Sequence, residues 1–140
     1  MRRMDAGVRE RLQAFLQMGG FDQALVGLEL IDAAAGRARL RIVVERPLQN
    51  LSGNLHGGAI ASLVDDAGTI AIMTADKDGR PGVTTDLNVS YFSAGRAGDA
   101  VLIDAEVLKT GRRIAYVSVD LRREADGARI AQGRMTKFLA

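Results

Sequence analysis

Asp65 stands in the middle of a helical stretch, and its direction sets it apart. From Gly57 to about Ala75 the residues Ile60, Leu63, Val64, Ala67, Ile70, Ala71 and Thr74 recur on one side. At about 100° per residue, the stripe through Leu63, Ala67, Ile70 and Ala71 lies almost opposite Asp65. Around Asp65 on its own side are Gly58, Ala61, Ser62, Gly68 and Thr69, all small, whereas an exposed helix face more often carries Lys, Glu and Arg. This face is therefore expected to be covered, with a second copy of the chain as the simplest cover. An ionised carboxylate in such a place can work as a general base or as a nucleophile. The plainer alternative is a solvated aspartate on an Ala-rich surface. Asp66 competes by position, but its direction differs by about 100°.

His56-Gly57-Gly58 precedes and opens this helix. Unpaired amides and the helix dipole favour an anion there, and a glycine lets a bound group approach the backbone, so Gly57 is a candidate donor and Gly58 a candidate neighbour of the substrate. His56 is the only histidine; beside two glycines it is either functional or purely structural. Asn50 is an uncharged amide donor or an ordinary turn-former. Thr84 is expected on the polar side of a strand with Asp86, Asn88 and Ser90, while Val83, Thr85, Leu87, Val89 and Tyr91 face the other way. Lys109, Arg112 and Arg113 flank the Thr110-Gly111 turn and, with Lys137, suit phosphate groups or form an exposed basic hairpin.

The composition excludes several other chemistries. The chain has no cysteine, which removes disulfides, thiolate metal sites and a Cys nucleophile together and fits a cytoplasmic setting. One histidine excludes a multi-histidine metal cage, and no clustered carboxylate motif supports a Mg²⁺ site; no metal or cofactor is expected. A formal charge of +2 and 4% aromatic residues argue against a nucleic-acid binder. Met1-Arg2-Arg3-Met4 continues directly into polar residues without the apolar stretch of a signal peptide. No run is expected to be long enough and apolar enough to span a bilayer.

The elements that must position these residues follow from periodicity. A helix is expected over residues 5–17, capped by Asp5 and ended by Gly19-Gly20. From residue 25 the period changes: Val26, Leu28 and Leu30, then Ala38, Leu40, Ile42 and Val44 opposite Arg37, Arg39 and Arg41, read as an antiparallel hairpin. Residues 47–55 read as a loop. After the central helix come four strands, over 83–92, 101–109, 114–121 and 130–138, and the short last two connections favour hairpins. Within 140 residues this is one α+β domain whose antiparallel sheet covers the helix.

The segment Asn50-Leu51-Ser52-Gly53-Asn54-Leu55-His56-Gly57-Gly58-Ala59-Ile60-Ala61-Ser62-Leu63-Val64-Asp65 resembles the active-site segment of PaaI-like hotdog acyl-CoA thioesterases. The similarity continues through residues 81–91, Val117-Ser118-Val119-Asp120-Leu121 and Ile130-Ala131-Gln132-Gly133-Arg134, most of the chain after residue 45. The resemblance implies a hotdog fold, a curved antiparallel sheet wrapped round the central helix, in a homodimer or dimer of dimers. It implies acyl-CoA as substrate, without nucleic-acid or membrane partners. It also assigns Asp65 as base or nucleophile, the Gly57 amide with Asn50 as oxyanion hole, and His56 as the residue that orients the loop and the thioester. In one member of the family a serine in the place of Thr84 helps hold the attacking water; threonine keeps the hydroxyl and adds a methyl. Hydrolysis suits this set, since attack on a thioester builds charge on the carbonyl oxygen. The alternatives are a non-catalytic acyl-CoA-binding module and a hotdog hydratase or dehydratase.

Overall fold

The computed structural model describes residues 5–140; Met1-Arg2-Arg3-Met4, read above as free of a leader, lies outside the described residues. Helix α1 spans Ala6–Leu16 and begins where Asp5 accepts hydrogen bonds from the amides of Gly7 (2.9 Å) and Val8 (3.3 Å). Leu12 is fully buried, and the Arg9 guanidinium donates to the carbonyls of Leu30 and Ile31, which fastens α1 across the first strand. The strands are β1 (Glu29–Ala34), β2 (Arg37–Val43), β3 (Val83–Tyr91), β4 (Ala100–Thr110), β5 (Ile114–Arg123) and β6 (Arg129–Phe138), with α2 (Gly57–Ala75) between β2 and β3. The first strand starts later than the alternation from Val26 suggests. A 3₁₀ turn occupies Gly20–Ala24 instead, and Val26 is exposed.

All six strands form one antiparallel sheet in the order β1-β2-β4-β5-β6-β3, and every strand touches α2. This is the expected hotdog arrangement. Ala38, Leu40, Ile42 and Val44 face the helix and are buried. On the outer face Arg37, Arg39 and Arg41 pair across the sheet with Glu106, Asp104 and Glu124.

Two expectations about α2 are corrected. By length and composition it is apolar enough to cross a bilayer, but that surface is taken up by the sheet that wraps it. The small-residue side is also covered by the chain itself over part of its length. A Cβ on Gly68 would lie 2.6 Å from Met135 Cε and 2.9 Å from Val117 Cγ1, and Thr69 is buried. Only the N-terminal part of that side, with Gly58, Ala61 and Ser62, is left wholly or partly open.

The turn into β3 depends on Gly82, whose φ is +67° and whose added Cβ would meet the Phe138 carbonyl oxygen at 2.6 Å. Gly82→Ala combines left-handed strain with a backbone clash, so a loss of about 2–4 kcal/mol is expected from the two effects. Chemical denaturation compared with wild type checks it.

Candidate active site

The loop before α2 is folded back on the helix start. The amide of His56 donates to the Leu48 carbonyl (2.8 Å), and Gln49 bridges Leu55. Asn50 is indeed a turn-former: its side-chain oxygen accepts from the amides of Ser52 (3.0 Å) and Asn54 (3.1 Å). Those bonds hold the carboxamide oxygen and leave its NH₂ group as the outward donor. Asn50 and His56 share one open recess of about 500 Å³ with Gln49, Leu51 and Ser52.

His56 caps α2. Its Nδ1 accepts from the Gly58 amide (2.8 Å), so the lone pair a general base would use is engaged and Nε2 carries the proton. Among the described residues the Gly57 amide has no hydrogen-bond partner. The Gly57 carbonyl, by contrast, accepts from the Tyr91 hydroxyl (2.8 Å), which ties the helix start to the end of β3. Asn50, His56 and Gly57 thus form one cluster of donors, with Gly58 exposed beside it.

Asp65 belongs to a second cluster. It is half-buried, and its Oδ1 accepts from the Thr84 hydroxyl at 2.8 Å. Thr84 was expected on the same side as Asp86, Asn88 and Ser90; the structure corrects this. Thr84 pairs with Lys137 and Asp86 with Thr136, so Thr85 is an extra residue in the ladder. That bulge reverses the alternation and turns Thr84 to the helix side together with Leu87, Val89 and Tyr91. Thr84→Val removes a hydrogen bond to a charged group worth about 1.5–3 kcal/mol. A fall in kcat of roughly 10- to 100-fold is expected, with Thr84→Ser close to wild type in steady-state kinetics.

Asp66 looks elsewhere. It is 5% exposed, its Oδ2 has no partner, and it borders a recess of about 480 Å³ under α1 together with Asp22, Gln17 and Leu30. Burial pushes its carboxyl up to about 8; Asp22, by charge and hydrogen bonding, and Asp65 push the same way, and Lys137 opposes them.

The basic residues separate. Lys137 is not a surface cation: it is 6% exposed, on the helix side of β6, and its electrostatic neighbours are Asp65 and Asp66. A phosphate there would have to shed its water beside two carboxyl groups, so the expectation of a phosphate contact does not hold for Lys137. Arg112 and Arg113 line an open recess of about 740 Å³ with Lys77 and Arg80, and Lys109 is exposed just before it. Arg80 is taken by Asp76 (2.8 Å), whose carboxyl its hydrogen bonds hold at about 2. Among the described residues Arg112 and Arg113 have no such ion pair.

Residues 52–129 match the family model of the Thioesterase superfamily. The chain belongs to this family. It is 40% identical over 139 residues to acyl-coenzyme A thioesterase 13 of Homo sapiens, covering 99% of each chain. The crystal structure of zebra fish thioesterase superfamily member 2 superposes with a TM-score of 0.89 at 43% identity, over 95% of this chain and 96% of that one. Phenylacetic acid degradation protein PaaI from Thermus thermophilus gives 0.76 at 30% identity, over 86% and 98%.

Within this thioesterase fold, sequence reasoning missed three features near the site: the Tyr91 anchor on Gly57, the Thr85 bulge, and the burial of Lys137. Tyr91 carries a weak signal, an amphipathic residue at the end of a strand. Nothing in Thr84-Thr85-Asp86 marks a bulge.

Proposed function

We propose that this protein hydrolyses acyl-CoA thioesters with Asp65 as general base and the Gly57 amide and Asn50 NH₂ as oxyanion donors. The single observation that carries the reading is the 2.8 Å hydrogen bond from Thr84 to Asp65. It presents a fixed carboxylate whose second oxygen is available to a water molecule. Asp65 takes a proton from that water as it attacks the thioester carbon, charge grows on the carbonyl oxygen against the two donors, and as the C–S bond breaks the proton held on Asp65 passes to the leaving sulfur, giving the CoA thiol and a carboxylic acid. His56 keeps the donor loop and helix start in register through its bond to Gly58.

The two clusters serve one carbonyl only across two copies of the chain. Asp65 lies eight positions after Gly57, about 12 Å along a helix, too far for one thioester to touch both. β3 is an edge strand with an open side, and Leu87 and Tyr91 on it are 37% and 54% exposed. Antiparallel pairing of two β3 edges sets the Thr84 end of one protomer against the Tyr91 end of its partner. That brings Asp65 of one beside Gly57 and Asn50 of the other, at two equivalent sites. Arg112 and Arg113 are the cations we assign to the CoA phosphates, with Lys109 nearby.

The test is release of thiol from a panel of acyl-CoA esters, aromatic to long-chain, with sedimentation of the same samples. Turnover by a dimer or larger assembly is the expected result; binding without release identifies a binding module instead. Asn50→Ala is expected to lower kcat by about 10²–10³-fold with little change in KM, read in the same assay.

A further inference from the structure

A buried ammonium needs a counterion, and the geometry around Lys137 leaves one candidate. Its side chain is 6% exposed and turned to the helix between β3 and β5, opposite Thr84 in one ladder and Ala115 in the other. Two acidic groups face it, Asp65 and Asp66, both from α2. Asp66 does not serve. It is 5% exposed, has an oxygen that meets no donor, and borders the recess under α1 with Asp22 of the Gly20–Ala24 turn. Asp66 is turned into that recess, away from the Thr84 hydroxyl that Asp65 meets. Asp65 is left, and it is already hydrogen-bonded to Thr84, the residue paired with Lys137.

We propose that Lys137 is the positioning residue of the reaction: buried on the helix side of β6 as the ladder partner of Thr84, its ammonium keeps the Asp65 carboxylate aimed along the Thr84 hydroxyl. The burial that draws the Lys137 ammonium below the ordinary lysine range is countered by the two carboxyl groups of α2. Lys137 acts through Asp65 and touches no substrate, which sets it apart from Arg112 and Arg113. This inference rests on Asp65 being the base.

The test is steady-state kinetics of Lys137→Met, Lys137→Arg and Asp65→Asn, and of the Lys137→Met/Asp65→Asn pair, on the full chain. The expected result is a fall in kcat of at least tenfold in Lys137→Met with KM within twofold, partial recovery in Lys137→Arg, and no further loss when Lys137→Met is added to Asp65→Asn. A rise in KM at unchanged kcat, the pattern of a phosphate contact, overturns the proposal. So does a full additional loss in the Asp65→Asn background. If Lys137→Met does not fold, Lys137→Arg against wild type carries the test: loss of kcat at constant KM upholds it, and an unchanged kcat overturns it. An active Asp65→Asn enzyme instead removes the reading of Asp65 itself, a result distinct from either.

Discussion

Asp65→Asn is expected to cut kcat by about 10²–10⁴-fold, the usual contribution of a positioned general base, while the chain still folds. Asparagine keeps the size of the side chain, and its carbonyl oxygen still accepts from the Thr84 hydroxyl, so circular dichroism stays close to wild type, while the melting temperature falls because the buried Lys137 loses its counterion. What disappears is the ability to take a proton from water. Single turnover of wild type in ¹⁸O-water separates base from nucleophile. In that one turnover a general base puts the label into the released acid, whereas an anhydride opened by water at the Asp65 carbon leaves the label in the protein carboxylate and the released acid unlabelled.

The second large effect is on stability and depends on pH. Asp66 is raised from 3.8 to about 8, mainly by burial. The folded chain therefore holds a proton that the unfolded chain has already released anywhere between these values. Stability falls as pH rises across that window, by roughly a tenfold change in the folding equilibrium per pH unit. Below it both states are protonated, and above it both are ionised and the whole cost is present. Asp66→Asn has no such proton to lose. It is expected to match wild type near pH 4 and to exceed it progressively up to pH 8, by about 5 kcal/mol as an upper bound. Urea titrations of both proteins at pH 4, 6 and 8 check the slope; parallel curves for the two would show that Asp66 ionises normally in the fold.

These outcomes locate what was readable in the chain. The helix carrying Asp65, the hairpin in which Arg37, Arg39 and Arg41 alternate with apolar residues, and the last three strands follow from patterns that repeat within a dozen residues. The opposite directions of Asp65 and Asp66 also follow from helix geometry alone, and the structure sends one to β3 and the other under α1. The Asn50 to Asp65 segment was legible as a thioesterase motif because a loop, a cap and two turns of helix hold its residues in contiguous sequence.

Tertiary structure decided the rest. Whether Thr84 meets Asp65 turns on one extra residue in the β3–β6 ladder, set by pairing with a strand some fifty positions away. Lys137 looks like any surface lysine in sequence, yet its strand lies between two others on the concave side of the sheet, and burial converts it from a phosphate ligand into a neighbour of carboxylates. The small residues around Gly68 likewise gave no sign of which surface would cover them, until the curvature of the sheet brought Met135 and Val117 against the helix. Local periodicity records which side of an element is apolar, because that preference is written every two or four residues. It does not record what stands opposite, because long-range register and sheet curvature are properties of the whole packed chain.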